Sequence, residues 1–363
     1  MSPGRSYAPS FRILLGGTEL RHGVTADVLS VTVVDNADRA DSFSFTVRDH
    51  LPEPDRLFPG GERLQWMDSR IFDEGNRVEI YMGYADDLVS MMVGEITAVN
   101  PSFPASGQPT LRVQGYSLYH RLQRTRLRKP FKATTDSGIV RQIATQMNLE
   151  PMVDETEVEY PLVSPKGETC ASFLRQRAER IGYEVVVKRE TLYFQRPRYL
   201  ENPSPGLTLE WGRSLIHFSP RLSTFNAPTE VTVRGSQTSQ GRGKEPLVGT
   251  ARAGDERVKM GTETGQQIAR SVFGDHHLLV EDHNITTSQE ANEVARARLE
   301  TQAMNFITGS GSCIGNPRLR ARMVLALKGL GKRFSGNYYV TAATHTIDGG
   351  GYRTDFQVKR NAR

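Results

Sequence analysis

Short segments of alternating apolar and polar residues recur at both ends of the chain, and they constrain the fold most. Residues 43–47 (FSFTV) and 78–82 (VEIYM) alternate with period two, which places one side of a strand in a core and the other outside. We expect a bulge or bend near Gly94, because the apolar run 89–99 is long for one strand. Other β-rich segments between turn residues are 28–34, 88–99 and 110–117. With no long helical pattern between them, these strands predict an antiparallel barrel or sandwich.

The pattern changes to helices after about residue 128. Asp136 is the predicted N-cap of a helix with an apolar face of Ile139, Ile143 and Met147. A second helix is predicted from about 170 to 181, ended by Gly182. A hairpin follows, with strands at 183–187 and 191–195. The sequence therefore predicts a helix–helix–hairpin unit inserted between two β regions.

Strands return after about residue 205. Residues 235–254 are rich in Gly, Ser, Gln and Arg without periodicity, and with the polar stretch that follows they predict a mobile loop over about 235–275. A helix over about 288–304 is predicted from a capping box of Thr287 and Glu290. Asp348 and the three glycines after it predict a hairpin turn. The predicted strands are 207–211, 229–235, 322–327, 337–347 and 352–359.

Bulk properties leave the function class open. The length of 363 residues suggests two or three domains, and a net charge of +5 is only a weak pointer to nucleic acid. Cys170 and Cys313 do not form a CxxC pair, so we expect two thiols in a reducing compartment. The N-terminus has no apolar signal region and the chain has no long apolar run. We therefore expect the chain to fold in the cytoplasm and not to enter a membrane.

Two glycine-containing segments are similar to phosphate-binding loops but depart from the motifs. In 329–332 (GLGK), Arg333 stands where a P-loop has Ser or Thr, so a plain turn is favoured. In 309–315 (GSGSCIG), the third glycine is displaced by one residue, and the segment follows a helix instead of a strand. We expect no cofactor at either segment.

Metal and nucleophile sites are also poorly supported. His276, His277 and His283 lie near Glu281 and Asp282, but adjacent histidines on a strand point to opposite faces. Surface or interface histidines are the simpler interpretation. Cys313 as a nucleophile would need a base such as His345, and no pattern argues for that pair. We expect no catalytic, cofactor-binding or metal-binding residues.

The stretch 121–132 (RLQRTRLRKPFK) is basic and has no acidic residue. One interpretation is an arm that binds nucleic acid through phosphates. However, apolar and aromatic residues interleave with the charges at spacings that suggest packing on the fold: Tyr116, Tyr119, Leu122, Leu127 and Phe131. A basic wall that faces an acidic neighbouring subunit is therefore the preferred interpretation.

Five blocks of sequence, in order, resemble the phage late control protein D family, which includes the hub portion of VgrG-like proteins. The resemblance extends from about residue 10 to 361, and only 235–275 lacks a matching segment. The blocks are 31–47, 77–122, 173–194, 207–224 and 311–360.

The resemblance implies a mainly β fold with an α+β insertion. It implies two tube-like antiparallel β-barrel domains, at 1–128 and 205–363, with the inserted α/β domain at 129–204. Members of the family form homotrimers in which six barrels make a pseudo-sixfold ring, which can join a sixfold inner tube to a threefold spike. The implied role is the structural baseplate hub of a contractile injection system, assembled in the cytoplasm as part of a phage tail-like particle.

The implied partners are the inner tube protein or a tube initiator, a spike protein and the surrounding baseplate wedge proteins, without a membrane or a specific nucleic acid. VgrG-like proteins continue into a needle, so a chain that stops at Arg363 leads us to expect a separate spike polypeptide. Two alternatives stay open. One is a module that binds polyanions or nucleic acid, and the other is a cell-wall hydrolase associated with the baseplate.

Overall fold

The structure is a computed structural model that describes residues 8–49, 64–225, 227–235, 247–282 and 284–363. Strands and helices are numbered in chain order. The first part of the chain contains β1 Pro9–Leu15, β2 Thr18–Glu19, α1 His22–Asp27, β3 Val28–Asn36, β4 Ser42–Arg48, β5 Arg77–Tyr84, β6 Asp87–Ser102 and β7 Thr110–Ser117. A 3₁₀ turn, Arg70–Phe72, precedes β5. All strands that the sequence predicts before residue 118 are confirmed.

The long strand β6 bends as expected around Gly94. Its register against β5 shifts at Met91, and its register against β7 shifts between Ile96 and Ala98. A Cβ at Gly94 would lie 2.4 Å from the carbonyl oxygen of Tyr116, so the two backbones approach too closely for a side chain.

The middle of the chain is the predicted α/β unit. It contains α2 Tyr119–Arg124, β8 Phe131–Thr135, α3 Asp136–Gln146, β9 Glu150–Val153, β10 Glu159–Val163, α4 Cys170–Ile181, β11 Glu184–Lys188, β12 Thr191–Gln195 and α5 Arg198–Glu201. The predicted helix faces meet in one core, where Ile139, Ile143 and Leu174 are buried. The β11–β12 hairpin is confirmed, and β9 pairs in parallel with β12.

A side-chain hydrogen bond begins α3, and a glycine in the left-handed conformation ends α4. The N-cap of α3 is Thr135, whose Oγ1 accepts a hydrogen bond from the Gly138 N–H at 3.1 Å. The prediction of Asp136 was therefore wrong by one residue, and the buried Asp136 pairs with Arg177 instead. Gly182 ends α4 with a φ of 73°, as predicted.

The last part of the chain contains β13 Leu207–Glu210, β14 Leu215–Leu222, β15 Glu230–Gly235, β16 Val248–Arg252, α6 Gly265–Phe273, β17 His277–Asp282, α7 Ser288–Ala303, β18 Ile307–Ile314, β19 Val324–Lys328, α8 Gly331–Phe334, β20 Gly336–Asp348 and β21 Gly351–Arg360. The predicted turn joins β20 to β21, and Asp348 Oδ1 accepts a hydrogen bond from the Gly350 N–H at 2.8 Å. Among the described residues, no helix has both the length and the apolar character needed to cross a bilayer.

The loop predicted over 235–275 is wrong where the structure describes it. Residues 248–252 form β16, which pairs with β15, and residues 265–273 form α6. A capping box of Thr264 and Gln267 begins α6, and composition alone had hidden it. Residues 236–246 of the predicted loop lie outside the described residues.

A second α/β unit occurs within the last part of the chain, and the sequence predicted its helix and its strand β15 but not β16 or β17. β15 lies between β16 and β17 in a three-stranded sheet, and it pairs in parallel with β17. Helix α7 packs on this sheet through Ala291, Val294, Ala295 and Leu299. Thr287 caps α7 as predicted, but the Glu290 carboxylate accepts from Thr286 instead of closing the capping box.

One 13-stranded sheet connects the two ends of the chain. Its order is β14-β18-β21-β20-β3-β4-β7-β6-β5-β1-β2, with β13 and β19 joined to it through β20. The long strand β20 pairs with β19 through its first half and with β3 through its second half. The fold is therefore mainly β and antiparallel with α/β insertions, as predicted.

Two separate cores lie against this sheet. The first contains apolar residues of β1 and β3–β7, together with Ile347 and Tyr352, which flank the turn between β20 and β21. The second holds Tyr338, Val340 and Phe356 from the other end of β20 and β21, with apolar residues of β13, β14, β18 and β19. The β20–β21 hairpin thus belongs to both β regions, which are continuous with each other.

Candidate functional site

The outward side of the large sheet carries hydroxyl and amide side chains over most of its width. In β4, Ser44 and Thr46 alternate with Phe43, Phe45 and Val47, each of which is at most 2% exposed. Successive side chains on a strand point to opposite faces, so the hydroxyl groups lie on the outer side.

Strand register aligns these side chains across the sheet. Thr32 of β3 is opposite Ser44 of β4, and Ser44 is opposite Gln114 of β7. Near the other end of the sheet, Ser310 of β18 is opposite Ser219 of β14. We call this surface the polar face, and it consists of Thr32, Ser44, Thr46, Arg112, Gln114, His217, Ser219, Thr308, Ser310, Ser312, Thr344, Thr346, Asp355 and Gln357.

The polar face carries few side-chain contacts of its own. Arg112 Nη2 donates to Ser44 Oγ at 3.3 Å, and Arg353 pairs with Asp355 at 3.1 Å. A shallow depression of about 230 Å³ lies over Ser310, Ser312 and the strands beside them. The cores of specific protein interfaces are enriched in aromatic residues and depleted of serine, so this face is poorly suited to tight binding.

The glycines of 309–315 serve packing and not ligand binding. They lie in strand β18, where Gly309 and Gly311 occupy the inward positions. A Cβ at Gly309 would lie 2.7 Å from the Phe218 ring, and one at Gly311 would lie 2.6 Å from the Phe356 ring. The small residues therefore allow two aromatic rings to lie against the backbone.

The segment 329–332 forms the connection between β19 and β20. Gly329 and Gly331 have φ values of 80° and 72°, and the four-residue helix α8 begins at Gly331. The segment is thus a turn between strands, the interpretation that the sequence favoured.

Cys313 and His345 are both buried, in environments that disfavour their charged forms. Burial raises the pKa of the Cys313 thiol to about 12 and lowers the pKa of His345 to about 3. His345 Nε2 donates to the Leu319 carbonyl at 3.0 Å, and Nδ1 bonds with Tyr352 and Thr354. This arrangement opposes the thiolate that a cysteine nucleophile requires.

The clustered histidines do not converge where the structure describes them. His277 lies in β17 and contacts Glu230 at 3.4 Å, whereas Asp282 of the same strand pairs with Arg180. His283 lies outside the described residues. Among the described residues, no group of three or more His, Cys, Asp or Glu side chains is arranged to hold a metal ion.

The basic stretch 121–132 packs on the fold through its apolar residues, as expected. Tyr119, Leu122 and Leu127 are buried and Phe131 is partly buried, but Tyr116 is 45% exposed, because it lies on the outer side of β7. Arg121 donates to Glu95, and Arg126 donates to the Gly167 carbonyl. Four exposed cations of the stretch have neither a carboxylate nor a carbonyl partner among the described residues: Arg124, Arg128, Lys129 and Lys132.

A cluster of two buried carboxylates and two partly buried cations joins the three regions of the chain, and we call it the junction cluster. Lys188 of the α/β unit contacts Asp35 and lies 2.6 Å from Asp41. Arg320, in the connection between β18 and β19, lies 2.5 Å from Asp35. Burial opposes ionisation of Asp35, but Lys188 and Arg320 outweigh it and hold its pKa well below the usual value. Burial raises the pKa of Asp41 to about 6 in spite of Lys188.

A second buried network joins the two α/β units through α4. Arg180 lies 2.5 Å from Asp282 and 2.6 Å from Glu290, and it donates to the Tyr160 hydroxyl at 2.8 Å. Although burial opposes the charge, Arg180 keeps the pKa of Glu290 below its usual value. Sequence reasoning missed both networks, since their partners are more than 100 residues apart in the chain.

Structures of phage tail proteins share this fold over the whole chain. A 43 kDa tail protein of prophage MuSo2 from Shewanella oneidensis superposes with a TM-score of 0.70 at 11% identity, covering 97% of this chain and 98% of that one. A tail protein from Neisseria meningitidis MC58 gives a TM-score of 0.69 at 16% identity, covering 98% and 97%. At these identities the likeness shows the fold alone.

The fold also occurs in a type VI secretion system. The E. coli c3393 protein is a component of that system with structural similarity to the T4 bacteriophage tail proteins gp27 and gp5. It gives a TM-score of 0.57 at 12% identity, covering 97% of this chain and 77% of that one.

Sequence comparisons give one match. The family model described as the Alg8 N-terminal domain matches residues 6–349. No curated protein matches the chain.

Proposed function

The chain belongs to the Alg8 N-terminal domain family, and from its fold we propose that it is the structural hub of a contractile, phage-tail-like baseplate. The observation that carries this proposal is the end-to-end likeness to tail proteins, with 97% of this chain and 98% of the MuSo2 protein covered. A likeness over both whole chains supports a role of the same kind better than a shared single domain would.

Two cores in one chain support two barrel domains per chain, and a trimer of such chains could match both a sixfold and a threefold partner. In the proposed homotrimer, residues 1–128 and 205–363 each supply a tube-like barrel, and residues 129–204 form the insertion. Three chains then supply six barrels, so one side of the ring matches a sixfold inner tube and the other a threefold spike. Obligate assemblies of this kind bury interfaces of about 2,000 Å² or more.

The polar face suits the inner wall of such a ring. Its serine, threonine and glutamine side chains can exchange hydrogen bonds with water, and Tyr116, near the end of β7, is an aromatic side chain exposed on the same side. A channel wall of this chemistry would let cargo pass without tight binding. The proposed role is therefore mechanical and involves no catalytic residue.

The proposed partners are the inner tube protein or a tube initiator, a spike protein and the baseplate wedge proteins. One solved structure with this fold is the Francisella PdpA–VgrG complex, with a TM-score of 0.53 at 8% identity. The more specific resemblance to the late control protein D family remains a prediction, because the family model that matches has a different description. We propose that the chain is assembled in the cytoplasm as part of a tail-like particle.

The oligomeric state of the purified chain tests this proposal. Size-exclusion chromatography with light scattering at micromolar concentration should give a mass of three 40.5 kDa chains. A stable monomer over this concentration range would count against the ring.

A second candidate function, binding of polyanions, is favoured by the exposed cations of the stretch 121–132. A variant with Arg124, Arg128, Lys129 and Lys132 replaced by Gln separates the two functions. If the stretch binds nucleic acid, the variant loses a gel shift that heparin also abolishes in the wild type. If it faces a neighbouring subunit, the wild type gives no gel shift and the variant forms a weaker trimer.

A further inference from the structure

A cavity of about 380 Å³ lies where the first β region, the α/β unit and the connection between β18 and β19 meet. Its lining includes the junction cluster and three further arginines, Arg189, Arg198 and Arg322. Five cationic side chains and two carboxylates thus line it, and Glu184 pairs with Arg322 at 2.8 Å from outside the lining. The five cations therefore exceed the three carboxylates by two positive charges.

The junction cluster satisfies its own charges. Lys188 contacts both carboxylates, and Arg320 bonds with Asp35 and with the Met91 carbonyl. These groups therefore neutralise one another, Arg322 pairs with Glu184, and Arg189 and Arg198 have no carboxylate partner among the described residues.

Two polar atoms of the lining are buried without a hydrogen-bond partner among the described residues. They are Ser117 Oγ and Arg322 Nη2, in residues that are 2% and 6% exposed. Buried polar groups in proteins are nearly always satisfied, so two unsatisfied donors in one cavity indicate a group that accepts hydrogen bonds there. The backbone of Arg322 also has a φ of 69°, a conformation that residues with side chains rarely adopt.

Arg198 completes the set at the mouth of the cavity. It is exposed, and no carboxylate among the described residues pairs with it. Its guanidinium group can deliver two parallel N–H donors to an oxyanion, the geometry in which arginine binds carboxylate and phosphate. Donors from β7, from α5 and from Arg322, two positions before β19, thus line the same cavity.

We propose that this cavity binds a small oxyanion, through Ser117, Arg198 and Arg322, and that the anion ties the α/β unit to both β regions. The proposal does not depend on the role of the chain as a hub. The same chemistry could come from a free tetrahedral anion such as sulfate or phosphate, or from a carboxylate.

Isothermal titration of the full chain with sodium sulfate, against sodium chloride at equal ionic strength, tests the site. Sodium acetate in a parallel titration distinguishes a carboxylate site from a tetrahedral one. The proposal expects one of these oxyanions to bind where chloride does not. Binding of neither would overturn it.

Two variants and one control locate the binding. Ser117→Ala removes an unpartnered hydroxyl with almost no change of shape, so it keeps the fold, and Arg198→Ala removes an exposed side chain. We expect Arg198→Ala to weaken binding about tenfold and Ser117→Ala a few-fold, as for charged and neutral hydrogen bonds. Arg213→Ala, at an arginine outside the cavity that is 79% exposed, should bind as the wild type does. Unchanged affinity in both cavity variants would overturn the assignment.

Discussion

At the scale of single residues, Asp35 and Asp41 show how burial and pairing compete. Two cations hold the pKa of Asp35 below its usual value, whereas Asp41 shares only Lys188 and its pKa rises to about 6. Both carboxylates are buried at 4% exposure or less, so the difference lies in their neighbours: Asp35 has two cations, whereas Asp41 has one and is also repelled by Asp35.

The raised pKa of Asp41 makes stability depend on pH. A carboxyl group whose pKa is higher in the folded than in the unfolded chain binds protons more readily when folded, so its contribution falls as pH rises from about 4 to about 6. Asp41→Asn lacks this titration. The free energy of unfolding of the wild type should fall relative to that of Asp41→Asn by on the order of 2 kcal/mol across this window.

Urea unfolding of both proteins at half-unit steps between pH 4 and 7 measures this difference. Asp35 is already ionised in the folded protein over this range, and Lys188, whose pKa lies above its usual value, stays charged. A constant difference between the two proteins would show that Asp41 does not titrate in the window.

Two adjacent positions of β18 test the assignment of inward and outward faces. Gly311→Ala places a methyl group against the Phe356 ring and should cost about 1–3 kcal/mol through overpacking. Ser310→Ala, on the polar face, should change stability by no more than about 0.5 kcal/mol. Thermal unfolding of both variants measures the effects, and similar values for the two would be inconsistent with this register.

At the scale of elements, the buried Arg180 of α4 pairs with two carboxylates of the second α/β unit. Arg180→Met leaves Asp282 and Glu290 without their cation and should destabilise the chain by about 3–5 kcal/mol. Arg175→Met, on the exposed side of the same helix, removes only a surface pair with Glu179 and should cost less than about 1 kcal/mol. Chemical denaturation of the two variants provides the comparison, and equal losses would contradict the role of Arg180.

Elements with strong local signals could be predicted from the sequence. Period-two alternation predicted β4 and β5, β-rich segments between turn residues predicted β3, β6 and β7, and caps and apolar faces predicted α3, α4 and α7. The sequence did not predict β14, which contains Pro220, or the glycine-rich β18, because their β structure depends on neighbours and not on propensity. Helix α6 was hidden inside a polar segment, although Thr264 and Gln267 form a capping box.

The candidate sites were less predictable than the elements. The polar face follows from alternation once strand order is known, but order depends on the pairing of β3 with β20, more than 300 residues away in the chain. Ser117, Arg198 and Arg322 likewise belong to different regions of the chain, and no local pattern connects them.

At the scale of the whole molecule, one sheet with two cores is the feature on which the proposed ring depends. The β20–β21 hairpin contributes to both cores, so the two β regions are held in a fixed relation without a flexible linker. A fixed relation between the two β regions is what the proposed hub would need under mechanical load.

The polar face provides a prediction at this scale. Ser310→Arg and Ser44→Arg together would place six additional positive charges on the wall of a trimeric channel. The variant should fold and form particles, because both side chains face outward, but delivery by those particles should fall. Normal delivery by intact variant particles would indicate that the polar face does not line the channel.

Electron cryo-microscopy of the assembled particle tests the hub most directly. The account predicts three copies of this chain around the particle axis, with six barrel modules between the inner tube and the spike. A map that places the chain away from the axis, or that shows one copy per particle, would contradict it.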